Sequence, residues 1–224
     1  KLSTIGIIRG QRPQQLSPTL RDAQACGMRL LFLDRQHYKT KDLRPLLPIL
    51  NEEYGDYYCL PEGGENLAGV KGCQAIGESI AQHFHQHDSY TVCTAVGTGT
   101  TMSGIVSGLP SNKAGCLGFS ALKGEDRLSI NIQGWLSALG VNHSRWQVIT
   151  GYHHGGYAKT TPELLQFMAA LETDNHIVLE PVYSAKMLWG IEQLALQDYW
   201  PKGSTIIAIH GGGLQGRRGF DLEP

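Results

Sequence analysis

Short runs of β-branched and aromatic residues alternate with longer amphipathic stretches along nearly the whole of this 224-residue chain. That alternation constrains the fold more than any other feature. Apolar strands that are each followed by a helix pair in parallel and bury both faces of their sheet under helices. The pattern predicts strands at Thr4–Ile8, Leu30–Leu33, Tyr57–Leu60, Tyr90–Val96, Cys116–Ser120, Trp146–Thr150, His176–Leu179 and Thr205–His210. Helices are predicted at Pro18–Cys26, Cys73–Phe84, Thr101–Leu109, Leu128–Leu139, Pro162–Leu171 and Ala185–Tyr199. Ser17 before Pro18 and Thr161 before Pro162 suit N-caps with proline in the first turn, and Gly27 and Gly140 suit helix C-termini. The fold expected is α/β, with open, mostly parallel sheets and helices on both faces. Ligands of such sheets bind at the carboxyl ends of strands, in the loops that lead into helices.

Composition removes several classes of function. With 41% hydrophobic and 17% charged residues the chain can bury a core, unlike a disordered segment. A formal net charge of -1 leaves no basic footprint for a phosphate backbone, so nucleic acid is not an expected partner. No apolar run reaches ~18 residues, so no membrane span is expected. The five cysteines (Cys26, Cys59, Cys73, Cys93 and Cys116) share no CxxC spacing, and no export signal is visible. Reduced, mostly buried thiols in a cytoplasmic protein are the expectation. His83, His85 and His87 close a helix, where histidine complements the dipole, and their side chains split between faces. No metal is expected there.

The turn-rich stretch Pro61-Glu62-Gly63-Gly64-Glu65-Asn66 marks a domain boundary. The first ~60 residues are too few for a typical independent α/β domain. Residues 1–62 therefore read as the remainder of a small α/β domain, and 63–224 as a larger one. The chain begins with Lys1 and enters the run Ile5-Gly6-Ile7-Ile8 almost at once, so the natural start is expected upstream.

The strongest local signal is Ala95-Val96-Gly97-Thr98-Gly99-Thr100-Thr101-Met102-Ser103-Gly104, which follows a strand and opens a helix. Small residues let several backbone N–H groups converge on one anion at the positive end of the helix, and threonine hydroxyls add donors. A phosphate is the natural occupant; a plain tight turn is the alternative. The P-loop lysine is missing, since Lys113 lies beyond the helix, and Met102 breaks a GxGxxG fingerprint. A phosphate-bearing cofactor held by backbone and hydroxyl groups remains.

Two further clusters sit just past strands. In Glu180-Pro181-Val182-Tyr183-Ser184-Ala185-Lys186 the phenol of Tyr183 falls at the carboxyl edge of the sheet, as a ligand contact or as a packed tyrosine. Lys186 reads as a solvated charge. His210-Gly211-Gly212-Gly213 suits close approach of a flat ligand, or a flexible connector, and Arg217-Arg218 beyond it pair with an anion or stay solvated. Gly155-Gly156-Tyr157 places another tyrosine at a sheet edge, and at most one of His153 and His154, at the rim of the site, is expected to point inward. Ser111-Asn112-Lys113 reads as a surface connection after Pro110.

Together these segments resemble the fold type II, tryptophan-synthase-β-like pyridoxal-phosphate (PLP) enzymes, in particular the D-cysteine desulfhydrase and 1-aminocyclopropane-1-carboxylate (ACC) deaminase family. The resemblance rests on Gly6-Ile7-Ile8-Arg9-Gly10, Pro61-Glu62-Gly63-Gly64, Thr98-Gly99-Thr100-Thr101, Glu180-Pro181-Val182-Tyr183 and His210-Gly211-Gly212, in family order. It implies a two-domain PLP enzyme, N-terminally incomplete, with 63–224 as the cofactor-binding domain. It also implies that Thr98, Gly99, Thr100 and Thr101 grip the phosphate, that Tyr183 and Tyr157 are the catalytic tyrosines, and that Ser184 faces the pyridine nitrogen. ACC deaminases carry glutamate at the Ser184 position, so the hydroxyl resembles the D-cysteine desulfhydrase branch. The family's Schiff-base lysine precedes the segment resembling Ser3–Gly10 and is not expected in this chain.

The function expected is a PLP-dependent lyase acting on a small amino acid, most simply D-cysteine β-elimination to pyruvate, sulfide and ammonia. ACC deamination is the alternative within the class. A non-catalytic remnant of the fold that binds a phosphate metabolite is the alternative outside it. The resemblance also implies a homodimer.

Overall fold

A computed structural model describes residues 2–124, 127–220 and 222. The chain divides into two compact units, Lys1–Cys59 and Leu60–Pro224.

In the first unit, β1 (Ile5–Arg9) and β2 (Arg29–Leu33) pair in parallel, with α1 (Pro18–Ala25) between them in sequence. Ser17 caps α1 by accepting the Leu20 N–H, and Gly27 follows the helix at φ +94°. The core is Leu31, Leu33, Leu46 and Leu50, with Ile5, Ile7 and Tyr38 packed against it. Two helices here were not foreseen. Asp34 opens α2 (Arg35–Lys39) by accepting the N–H groups of Gln36 and His37, and Gly55 at φ +60° ends α3 (Leu47–Tyr54). Arg29 ties β2 to α3 through the Glu53 carboxylate and the Tyr54 hydroxyl.

The second unit runs α4 (Leu67–His83), β3 (Tyr90–Val96), α5 (Thr100–Gly108), β4 (Ala114–Ser120), α6 (Leu128–Ala138), β5 (Trp146–Ile149), α7 (Pro162–Asn175), α8 (Ser184–Leu196) and β6 (Ile206–Ile209). Its four strands are all parallel, in the order β5-β4-β3-β6. Period-2 alternation divides each strand between two cores. Val92, Val96 and Cys116 meet Met102, Ile105 and Val106 of α5 and Ile132 and Leu136 of α6. Cys93, Leu117 and Phe119 meet Met187 and Leu194 of α8. Helices therefore cover both faces, as the alternation predicts. Each fully buried side chain of this kind contributes about 1.5–3 kcal/mol.

The position of α5 is set by glycine. A Cβ on Gly77 of α4 would lie 2.2 Å from the Ile105 carbonyl oxygen, and one on Gly104 of α5 would lie 2.4 Å from that of Val70. The two helix backbones touch because neither residue has a side chain.

Two predicted strands are absent. Tyr57–Leu60 has no ladder partner, and Tyr58 and Leu60 are more than 70% exposed, at 73% and 72%. His176–Leu179 is extended but finds side chains instead of a strand: His176 ends α7 at φ +57°, and Glu172, His210 and Arg217 bond the backbone that follows. The cysteines also differ from expectation. Only Cys93 and Cys116 are buried, Cys73 is intermediate, and Cys26 and Cys59 are exposed.

The strand order fixes where a ligand crevice belongs. The chain leaves β3 outward through β4 and β5, then returns to lay β6 on the other side of β3. Connections diverge at that β3–β6 boundary, and the open space lies beyond its carboxyl ends. The Gly97–Gly99 loop and the His210–Gly213 loop leave the carboxyl ends of these two neighbouring strands.

Candidate functional site

The loop after β3 opens α5 without a side-chain cap. Gly99, the N-cap residue, sits at φ +92°. Elsewhere Ser17, Asn66 and Thr161 cap α1, α4 and α7. The first amides of α5 have no partner within the helix, and the nearest hydroxyl, that of Thr98, stands 3.5 Å from the Thr100 N–H. Thr98 Oγ1 and Thr100 Oγ1 share a hydrogen bond of 2.9 Å, so two hydroxyls converge beside those amides. Thr100 is buried, and Thr98 is half-buried under the turn of Pro61–Gly64. A Cβ on Gly63 would lie 2.7 Å from the Thr98 methyl. Thr101 is exposed, and its hydroxyl lies 4.0 Å from Cys73 Sγ, on the α4 side. Its backbone N–H belongs to the open first turn.

Tyr183 lies directly over this loop. A Cβ on Gly97 would come within 3.1 Å of the Tyr183 hydroxyl, so glycine leaves the phenol room at the strand end. Tyr157 approaches from the other side, its ring at 6.0 Å and 66° to that of Tyr183. Burial pushes the Tyr183 phenol up to about 12, with the charge and hydrogen bond of Tyr157 and the carboxylates of Glu180 and Glu62 adding to it. Tyr183 is thus a hydrogen-bond donor at neutral pH. Tyr157 is 58% exposed.

The backbone beneath Tyr183 is held by a carboxylate to which sequence reasoning assigned no role. Glu180 is 2% exposed, and it accepts the N–H groups of Val182 (2.7 Å), Tyr183 (2.8 Å) and Ser184 (2.5 Å). It caps α8 from four residues upstream and complements the helix dipole. The Ser184 hydroxyl is buried, accepts from the Glu180 N–H and donates to the Glu180 carbonyl. That carbonyl also receives the Ala185 N–H at 3.1 Å. An acidic residue just ahead of a helix start was the available signal for Glu180.

One expectation changes here, and two open readings narrow. Lys186 is not a solvated charge: it is 2% exposed, and its Nζ donates to the Gly156 carbonyl at 2.7 Å. Its spacing from Gly190 and Leu194, both buried on the same face of α8, carried that information. Arg217 is buried as well, bonding Glu172 and the Leu179 carbonyl, each at 2.5 Å. The His210 loop is no loose connector. His210 donates through Nε2 to the Val178 carbonyl and accepts the Gly212 N–H at Nδ1, which fixes the neutral tautomer. Of the two adjacent histidines, His154 turns inward, edge-on to Trp189 and 3.0 Å from Thr161 Oγ1. Lys113 donates to the His85 carbonyl at the surface. The imidazoles of His83 and His85 bond the Ser79 and Gln82 carbonyls of α4, and that of His87 meets Thr205. A groove of about 290 Å³ lined by Thr91, Arg145, Trp146 and Trp200 lies at the opposite, amino-terminal edge of the sheet.

Fold and crevice together define an open-sheet α/β protein with its functional groups gathered beyond the carboxyl ends of β3 and β6. Residues 18–212 match the family model described as "Pyridoxal-phosphate dependent enzyme", and the chain belongs to that family. It is 33% identical over 205 residues to the mitochondrial bifunctional D-cysteine desulfhydrase/1-aminocyclopropane-1-carboxylate deaminase of Arabidopsis thaliana, covering 85% of this chain and 51% of that protein. It is 23% identical over 184 residues to a 1-aminocyclopropane-1-carboxylate deaminase of Rhizobium radiobacter, covering 75% and 54%. The crystal structure of an ACC deaminase homologue superposes with a TM-score of 0.79 at 25% identity, over 96% of this chain and 67% of that one. The chain thus spans about half the length of these curated relatives.

The residues present fit the phosphate of the family's cofactor. An uncapped helix terminus, two converging hydroxyls and a side-chain-free approach at Gly97 are the donor set and the space that a phosphate monoester needs.

Proposed function

We propose that the protein is a PLP-dependent lyase acting on a small amino acid, with D-cysteine as its principal substrate. D-Cysteine and water would give pyruvate, hydrogen sulfide and ammonia. The single observation that carries this reading is the open α5 terminus with Thr98, Thr100 and Tyr183 gathered on it. Residues Thr98 to Thr101 would hold the phosphate by backbone amides and hydroxyls. The cofactor, when bound, supplies the electron sink that weakens bonds at the substrate α-carbon.

The chain's own groups then position and protonate. Tyr183, kept protonated by burial, is suited to donate a hydrogen bond or a proton to the departing sulfur, and Tyr157 to hold the substrate beside it. Ser184 can turn its hydroxyl hydrogen toward a pyridine nitrogen, because the Glu180 carbonyl keeps the Ala185 N–H when the serine leaves it. The Schiff-base lysine belongs, on this reading, to protein upstream of the given sequence. Residues 1–62 are then the remainder of the small domain, and 63–224 the large PLP-binding domain.

ACC deamination, with water giving 2-oxobutanoate and ammonia, is the second reading. The Arabidopsis relative's name carries both activities. We read the protein as a cytoplasmic homodimer. Five unpaired cysteines accord with a reducing compartment, and no helix among the described residues is long and apolar enough to cross a membrane.

The test is to load the full-length protein with PLP and measure sulfide and pyruvate from D-cysteine beside 2-oxobutanoate from ACC. Sulfide release that falls at least tenfold in Tyr183→Phe is expected. Product from ACC alone would move the assignment to deamination, and cofactor uptake with neither product would refute both. No cofactor uptake at all would leave the non-catalytic phosphate-binding reading.

A further inference from the structure

Lys186 is a large side chain buried in the middle of the molecule, 2% exposed, with one hydrogen bond in the structure, to the Gly156 carbonyl at 2.7 Å. No carboxylate stands within ion-pair distance of it among the described residues. A methionine would fill the same space without burying an amine. What the lysine touches explains its presence. The segment from His154 to Ala158 holds four residues in the left-handed region: His154 at φ +49°, Gly155 at +93°, Gly156 at +115° and Ala158 at +50°. Two of these are not glycine, so the turn resists its own conformation and needs an external hold. Its internal bonds are few: the Gly156 N–H to the His153 carbonyl, the Gly155 N–H to His153 Nδ1, and the Lys159 N–H to the same Gly156 carbonyl that Lys186 grips.

We propose that Lys186 is a positioning residue: its ammonium, anchored on rigid α8, clamps the Gly156 carbonyl and so fixes the strained 153–158 turn that carries Tyr157 onto Tyr183. The lysine lies three residues after Tyr183 on α8, and the carbonyl it holds immediately precedes Tyr157. One bond therefore locks the separation of the two phenols. For its catalytic consequence the inference rests on the function proposed above; the clamp itself stands on geometry alone.

Protonation supplies an independent handle. Burial lowers the Lys186 amine to about 8, while the charge of Glu180, just ahead of the same helix, opposes that shift. His154 on the clamped turn feels the lysine in return: burial, and then that charge, push its imidazole below the ordinary value. Above about pH 8 the amine loses its charge, and with it the stronger, charge-assisted form of the bond.

Amide hydrogen exchange by mass spectrometry on the full-length protein tests this, read in peptides covering 151–159, α5 and β3. In Lys186→Met the 151–159 peptide is expected to exchange about tenfold faster or more, the scale of one lost charge-assisted bond. Peptides from α5 and β3 should be unchanged, and the melting temperature no lower. Unchanged exchange in 151–159 would overturn the proposal. So would acceleration spread evenly over all three peptides, which would make Lys186 mere core filling. Should the variant fail to fold, the wild-type protein decides. Exchange in 151–159, corrected for its intrinsic pH dependence, should rise relative to β3 between pH 7 and 9.5, and a flat ratio overturns the proposal. Neither readout depends on turnover, so an inactive enzyme would refute the function without touching the clamp.

Discussion

Two parts of the carboxyl edge of the sheet meet at Tyr183, and they are built on different physics. The Gly97–Thr100 loop is held from behind by packing: β3 and α5 bury Val92, Val96, Met102 and Ile105, and α5 lies against α4 backbone to backbone. The 176–186 segment adds Leu179 and Ala185 to a further core with Leu164 and Met168, and it and the 153–158 turn also carry a second kind of support. They are held by buried polar side chains, with Glu180 on three amides, Arg217 on Glu172 and the Leu179 carbonyl, and Lys186 on the Gly156 carbonyl. The first arrangement leaves its own amides free to bind something else. The second spends its polar groups on shape and presents aromatic rings.

The contrast can be broken at several points. The largest effect is expected from Glu180→Ala, which strands the N–H groups of Val182, Tyr183 and Ser184 in a buried site. Urea denaturation should show a loss of about 3 kcal/mol or more. Next comes the pH dependence of Lys186. Its amine is lowered from 10.5 to about 8 on folding, so the unfolded chain binds the extra proton between those values. Global stability from this group is therefore complete above about pH 10.5 and is lost as pH falls through about 8, whereas local opening of 153–158, which leaves the amine buried without its acceptor, is favoured by deprotonation. Relative to Lys186→Met, the wild-type protein should gain about 2 kcal/mol across that window. A smaller loss, about 1–2 kcal/mol, is expected for Gly104→Ala, whose Cβ would press on the Val70 carbonyl and on Cys73. That variant should weaken the packed half alone, leaving hydrogen exchange in 151–159 as it was. The smallest effect belongs to Tyr157→Phe. It removes a secondary cause of the raised Tyr183 value, so phenolate absorbance should titrate at lower pH, with burial still keeping it above 10.

The two halves also differ in how far the sequence revealed them. The β3–loop–α5 unit was legible because it is local: a period-2 strand, a cluster of small residues, then a helix, all within Tyr90–Gly108. The 176–179 segment has the β-branched composition of a strand, but its bonding partners lie at Glu172, His210 and Arg217. No local pattern announces partners so far apart in the chain. Lys186 misled for a related reason. Residue type argued for solvent, while its i, i+4, i+8 spacing with Gly190 and Leu194 placed it on the buried face. Lys186 was misread and Glu180 left without a role, whereas one of the two readings of Arg217, pairing with a carboxylate, holds at Glu172.

Phosphorus NMR of the PLP-loaded full-length protein tests the central claim most directly. A phosphate cradled by the α5 amides and by Thr98 and Thr100 stays dianionic, well below the second phosphate pKa of about 6 that a free monoester shows. One resonance is expected, with a shift that is flat between pH 5 and 8 and regains its titration in Thr98→Ala/Thr100→Ala. A resonance that titrates near pH 6 in the wild-type protein, or one that the double variant leaves unchanged, would contradict it.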